Sequence, residues 1–445
     1  MEKQPPVWES RVSRRTVLKY APVATAAFIA ACQGNTTASS STPSLTKNKF
    51  PGVTLQCGTN PGDLGPLKQM AADWGQLTGG TVNVQVVPYA ERAIKFAGLL
   101  ASQDGSIDLL YASGAFVAQF TDRIYLDLTD LIDTKPLLPA VLTELTAKGG
   151  LRAAPLSSDQ EIFIYNKTMF QAAGADPANP PGTWKDLYAL ASKLHQGNNY
   201  GMLLPWLASF AQSYWVAMYN SFGKPMYNAD RTQILFNDAD GLSVFQTIKD
   251  GWDAGFFDPN VEADPGADQD TAILFAHGKG ASQIGFAAYW AEAVSGPNAL
   301  LPAGTVGAAV VPGINAGTTG SENGYEGLGI NKFTQNKDAC ISFLNYMVSA
   351  PAQKKMGMAS GSNFLPPVRA DVLNDPDVQK VFSIAPIMAK QGQAQTSGWS
   401  TPFNTYPVMD SVVHKLYAGN GYTPEQALAD FYAGTKDLLI KYLTA

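Results

Sequence analysis

Between Val53 and Tyr111 the hydrophobic pattern switches back and forth between two periods, and that alternation limits the fold more than any other feature of the chain. Val53, Leu55 and Cys57 alternate with Thr54 and Gln56, as in a strand with one buried face. Leu67, Met70, Ala71, Trp74 and Leu77 then recur at helical spacing, and Val82, Val84 and Val86 alternate with Asn83 and Gln85. Ile94, Leu99 and Leu100 mark a second helix before the short apolar strand Ile107 to Tyr111. Strand, helix, strand, helix, strand implies a mostly parallel sheet covered by helices, an α/β fold.

A second α/β region follows. Glu161 to Tyr165 reads as a strand and Pro180-Pro181-Gly182 as a breaker. Thr183 caps a helix, with Asp186 three residues on and Leu187, Leu190 and Leu194 on one face. Ala281 to Phe286, Val306 to Val311 and Leu328 to Asn331 read as buried strands, and Thr423-Pro424-Glu425-Gln426 as a capping box opening the last helix. No internal repeat of 20 to 50 residues interrupts this order. Roughly 400 residues follow the N-terminal segment described next, more than one hydrophobic core serves, so two lobes are expected.

The N-terminus reads as an address. Arg14-Arg15, flanked by Ser13 and by Leu18-Lys19, resembles the twin-arginine export signal, with Val17 where an aromatic residue is often found. The uncharged run Ala21 to Ala31 is too short to span hydrocarbon, which needs roughly 20 residues, and so reads as a signal core. Ile29-Ala30-Ala31-Cys32 resembles a bacterial lipobox, in which the Cys is acylated. Gln33 to Ser44 has no large apolar side chain and reads as a flexible leash. Residues 1–31 are thus expected to be a signal peptide and 32–49 a lipid-anchor linker. The mature protein would sit on the outer face of the cell membrane.

Without the signal, 26 basic residues face 35 acidic ones, a net charge of −9. That balance, with no Lys/Arg run, argues against nucleic acid and against an anionic membrane surface as partners, leaving the membrane only through the lipid anchor. Cys57 ends a strand and Cys340 sits on a helix with Ile341, Leu344 and Met347; both read as buried thiols. Catalytic patterns are weak. His195, His277 and His414 are about 80 to 140 positions apart and outside metal-site patterns, and no G-x-S-x-G elbow is present, so neither metal nor cofactor is expected. Asp108, Asp159 and Glu326 lie at or beside strand ends, but their spacing marks no acid/base pair; polar groups that orient a sugar would look the same. Of eight tryptophans, Trp206, Trp215, Trp290 and Trp399 fall outside the signal and the plainest helix faces, and Trp215 still shares a helix face with Phe210, Tyr214 and Met218. Aromatic platforms with a few Asp, Glu, Asn or Ser groups suit the flat C–H face and hydroxyl rim of a pyranose.

Tyr325-Glu326-Gly327-Leu328-Gly329-Ile330-Asn331-Lys332, then Asn336 to Ala339 and Phe343 to Met347, resemble the hinge strand and following helix of the carbohydrate-type solute-binding proteins of ABC importers, the maltose-binding-protein-like group. Leu156 to Gln160 leading into Tyr165-Asn166-Lys167, and Phe364 to Arg369 before Leu373 to Pro376, carry the same likeness. It runs in order from about Val53 to Leu443. The resemblance implies a two-lobed, periplasmic-binding-protein-like fold with ligand between the lobes, one combining residues 50–155 with 326–365 and the other 156–325 with 366–445. It places Thr59, Asn60, Ser113, Gly114, Ser158, Asp159, Tyr325 and Glu326 at the cleft, facing Tyr289, Trp290 and Trp399; Trp206, following Pro205 in a loop, is added from the aromatic residues as a further ligand-binding candidate. Ala287-Ala288-Tyr289-Trp290 stands where relatives commonly carry Gly-Pro-Trp, which leaves open which of Tyr289 and Trp290 faces the ligand. The function implied is that of a monomeric, non-enzymatic receptor that captures a sugar by hinge closure and delivers it to an ABC permease. Alternatives are the same fold binding a glycerol phosphodiester or a polyamine, or a secreted glycoside hydrolase. A phosphate would want Arg in the cleft, and no matched position is basic.

Overall fold

The computed structural model describes residues 49–197, 199–206, 211–228, 232–257, 267–393 and 405–444; Arg14, Arg15, Cys32 and Trp399 lie outside the described residues. Among the described residues nine strands follow one another: β1 Thr54–Thr59, β2 Thr81–Val86, β3 Leu109–Ser113, β4 Thr146–Ala147, β5 Gly150–Leu151, β6 Ala154–Asn166, β7 Ser282–Phe286, β8 Val306–Ala309 and β9 Asn323–Ile330. β4 and β5 form a small separate hairpin. The other seven form one sheet in the order β2-β1-β3-β9-β6-β7, with β8 also paired to β6.

β1 pairs in parallel with β2 and β3, the strand–helix–strand order legible in the sequence. Beyond β3 the sheet is antiparallel: β9 runs against both β3 and β6, and β7 and β8 run against β6. The expectation of a mostly parallel sheet therefore holds for the first three strands only. β9 comes back from more than 200 residues away and pairs antiparallel with β3, a pairing that local periodicity does not report.

β6 is 13 residues long and buried throughout, far longer than the apolar stretch Glu161 to Tyr165. Its polar part, Ser157 to Gln160, has no strand signature but is satisfied by neighbouring segments. Ser158 donates its N–H to the Pro366 carbonyl (3.1 Å) and its hydroxyl to the Pro367 carbonyl (2.8 Å).

The buried side chains form separate clusters. One gathers Leu55, Leu67, Trp74, Leu109, Leu156, Leu328, Phe343 and Val368. A second holds Phe163, Trp184, Trp215, Phe245 and Phe431, and a smaller third packs Ile162 and Ile164 against Phe275, Trp290 and Phe382. β6 passes from the first cluster, at Ala154 and Leu156, into the other two, at Ile162 to Tyr165. Trp74 stacks on Phe50 and meets Phe343 edge-on, each 5.8 Å between ring centroids. Cys57 and Cys340 are both buried free thiols.

Helix starts follow the sequence closely. Asp186 N–H donates to Thr183 Oγ1 at 3.1 Å, and Thr423 and Gln426 exchange side-chain and backbone hydrogen bonds at the last helix. The second helix departs from its pattern. Ile94 is 79% exposed, because the helix Tyr89–Ser102 turns Arg92, Phe96 and Leu99 inward instead.

β9 fits between β3 and β6 because two of its residues lack a side chain. A Cβ on Gly327 would strike the Ala154 carbonyl of β6, and one on Gly329 would strike the Tyr125 ring, whose hydroxyl donates to the Tyr111 carbonyl at 2.8 Å. Gly327→Ala is therefore expected to cost ~2 kcal/mol or more in urea unfolding, against under ~1 kcal/mol for alanine at the open Gly98.

Candidate functional site

Where β1 ends, the turn into the helix Leu64–Thr78 presents Asn60 and Asp63. Asn60 Nδ2 donates to Glu326 Oε1 on β9 at 2.7 Å, and its Oδ1 accepts from the Arg92 guanidinium. The Tyr111 hydroxyl donates to the same Glu326 oxygen at 2.7 Å. Arg92 is fully buried; its Nε donates to the Val87 carbonyl at 2.8 Å, and its guanidinium lies 4.1 Å over the Tyr111 ring centre. Thr59, also fully buried, donates its hydroxyl to Asp63 Oδ2 at 3.2 Å.

Asp63 and Glu326 hydrogen-bond each other. Burial pushes both carboxyls up, and the Glu326 charge pushes Asp63 well above the usual range, while the Tyr111 hydroxyl and Arg92 pull Glu326 back. The two carboxyls thus share a proton between them. Glu326 remains half-buried, with part of its surface open.

At the β6–β9 crossing the register pairs Ser157 with Glu326, Ser158 with Tyr325 and Asp159 with Gly324. Asp159 Oδ1 accepts the N–H groups of Ala287 and Gln160, both at 2.8 Å. The helix Ala287–Ser295 has no side-chain cap of its own, so a carboxylate from another strand closes its N-terminus. Burial pushes Asp159 up to about 7 against the pull of those amides. Gln160 Nε2 donates to the Tyr325 hydroxyl at 2.9 Å.

One strand position further, Glu161 and Glu322 face each other. Both are about 1% exposed, and Glu161 N–H donates to the Glu322 carbonyl. Burial lifts Glu161 to about 8 and Glu322 well above its usual range, and each is raised further by a neighbouring carboxylate, Asp159 for Glu161 and Glu161 for Glu322.

The structure brings Asn60, Glu326, Asp159, Ser158 and Tyr325 together along this crossing, with Ser113 beside Glu326 on β3. Gly114 follows as the first residue of its helix, where a Cβ would collide with Glu144. Several members are engaged by protein partners: Thr59 by Asp63, Ser158 by the Pro367 carbonyl, Asp159 by the helix it caps. Of the aromatic pair, Tyr289 keeps partial exposure beside Phe286, whereas Trp290 is 8% exposed within the small core cluster. The expectation of Trp206 as a ligand-binding residue is corrected. Its ring is fully buried, edge-on to Tyr214, Trp252 and Phe257, so no face is left for a ligand.

Asp63, Arg92, Tyr111, Glu161 and Glu322 were not singled out by motif. Two had a readable signal: Arg92 shares its inward helix face with Phe96 and Leu99, and Glu161 alternates with Asp159 and Phe163 along β6. Arg92 also supplies the basic group that the matched positions lacked. Among the described residues no group of three His, Cys, Asp or Glu could hold a metal ion.

Residues 58–354 match the bacterial extracellular solute-binding protein family. A probable amino-acid ABC transporter periplasmic-binding protein of Sinorhizobium fredii is 22% identical over 295 residues, 64% of this chain and 63% of that protein's length. Among solved structures, a maltose-bound T. maritima MalE3 superposes with a TM-score of 0.75 at 20% identity, over 87% of this chain and 99% of the other. A solute-binding protein of Agrobacterium radiobacter K84 in complex with ribitol gives 0.74 at 23% identity, over 88% and 100%. Both likenesses establish the two-lobed binding-protein fold.

The buried acids set a pH dependence. Asp159 and Glu161 titrate near 7 and 8 when folded and near 4 when unfolded, so the folded state holds the extra protons. Their contribution is complete below about pH 4 and is lost as pH rises through about 7 to 8. Melting is expected to be higher at pH 5 than at pH 8, and the Glu161→Gln/Glu322→Gln variant to narrow that difference by at least about 2 °C in calorimetry.

Proposed function

We propose, for a chain that belongs to the bacterial extracellular solute-binding protein family, that its solute is a sugar or polyol held where β6 and β9 cross. The observation that carries this reading is the half-buried Asn60–Glu326 pair. One oxygen of Glu326 is saturated by Asn60 and Tyr111 and the pair is locked from behind by Arg92, which leaves fixed polar groups facing outward to meet hydroxyls. Tyr289, across the crossing, offers a partly exposed ring for an apolar C–H face. The fold shared with proteins solved with maltose and with ribitol supports the same class of ligand.

In this reading residues 50–155 with 326–365 make one lobe and 156–325 with 366–445 the other. Closure about the crossing excludes water and completes the contacts, with no bond made or broken. The loaded receptor passes its solute to an ABC permease. Acylation at Cys32, after export directed by Arg14-Arg15, holds a monomer beside that permease through the leash to Ser44.

Titration calorimetry of the mature protein against mono- and oligosaccharides and polyols is the test. At least one is expected to bind, and Asn60→Ala and Tyr289→Ala each to weaken it about tenfold or more. Failure of every sugar and polyol to bind overturns the reading.

A further inference from the structure

Strand alternation collects acids on one face of the crossing. Asp159 and Glu161 of β6 lie on the same side as Glu322, Gly324 and Glu326 of the opposing strand. With Asp63 they form a row, Asp63, Glu326, Asp159, Glu161, Glu322, in which the Glu326 charge raises Asp63 and Asp159, Asp159 raises Glu161, and Glu161 raises Glu322. Among the described residues the cation that acts on this row sits at its Asp63–Glu326 end. Arg92 faces Asn60, Val87 and Tyr111 and acts on Asp63 and Glu326. Among the described residues no ion pair involves Asp159, Glu161 or Glu322. At the far end neither carboxyl oxygen of Glu322, about 1% exposed, meets a donor at full hydrogen-bond geometry, and the Ser213 side chain pulls its carboxyl only part of the way back down.

Resting on the sugar or polyol reading, we propose that the solute carries a basic nitrogen: an amine-bearing sugar or polyol whose ammonium lies along the Glu326–Asp159–Glu322 face. Like charges side by side in a poorly solvated row hold protons. A neutral solute leaves those protons in place and gains only ordinary hydrogen bonds. An ammonium replaces a proton, gives the Glu322 oxygens donors, and sends the displaced proton to solvent. An anionic solute meets the same row as repulsion.

Calorimetry at pH 7 and low salt on matched pairs separates these cases: D-glucosamine with D-glucose, 1-amino-1-deoxy-D-glucitol with D-glucitol, and fully deacetylated chitobiose with cellobiose. The amine of at least one pair is expected to bind about tenfold or more tighter than its neutral partner. Its heat should differ between phosphate and Tris buffers as a released proton requires. Glu161→Gln and Glu322→Gln, made separately so that one folded variant suffices, are expected to bring the ratio of the two constants toward one. Equal or tighter binding of the neutral member in every pair that binds overturns the inference and leaves the sugar or polyol reading standing. An amine preference that both glutamine variants leave intact also overturns it. No binding by any member overturns the inference, and the sugar or polyol reading then stands or falls with the wider screen of mono- and oligosaccharides and polyols.

Discussion

The antiparallel pairing of β6 with β9 is the interaction on which the rest depends. It joins hydrophobic clusters that otherwise close on themselves, and it decides which side chains share a face. A register shift between Pro155 and Ser157 sets that outcome: before it Pro155 opposes Gly327, after it Ser157 opposes Glu326. Without that extra residue every later side chain of β6 would point to the other face, and Asp159 would no longer reach the helix it caps. Gly327 and Gly329 let the strands approach closely enough for the register to form.

The cost of this arrangement is electrostatic. Two unit charges 4 Å apart interact by ~4 kcal/mol at an effective dielectric of ~20, so neighbouring buried carboxyls keep protons rather than repel. Asp63 and Glu326 do so as a pair, and Glu322 against Glu161. Asp159 differs, because backbone amides from the helix Ala287–Ser295 stabilise its charged form. A side chain first read as ligand-fixing thereby ties the crossing strand to the helix that carries Tyr289, and any rotation of that strand is felt at the ring.

β1, β2 and the helix Leu64–Thr78 were legible because each repeats its buried residues with the proper period, β3 because it is a short apolar run buried throughout, and the helix Tyr89–Ser102 as an element but not in its buried face. The capping boxes at Thr183 and Thr423 were legible because their chemistry is local. What the sequence hid is non-local. The antiparallel half of the sheet depends on a return from residue 323, and the polar first half of β6 resembles a loop until Pro366, Pro367 and Gly324 are set against it. Trp206 follows a proline in an irregular stretch and looked available to a ligand; only the packing of Tyr214, Trp252 and Phe257 around it shows otherwise. Asn60 and Glu326 were legible through family likeness, whereas Arg92 behind them was hidden by its charge, which on a surface helix ordinarily means solvent.

The Asn60–Glu326 pair at the β6–β9 crossing is proposed to read the solute. A crystal structure of the protein with a bound sugar or polyol tests this most directly. Solute hydroxyl or amine groups are expected within hydrogen-bond distance of Glu326 and Asn60, with the Tyr289 ring against the carbon skeleton. A solute bound elsewhere, with both of those side chains in contact only with protein, would contradict it.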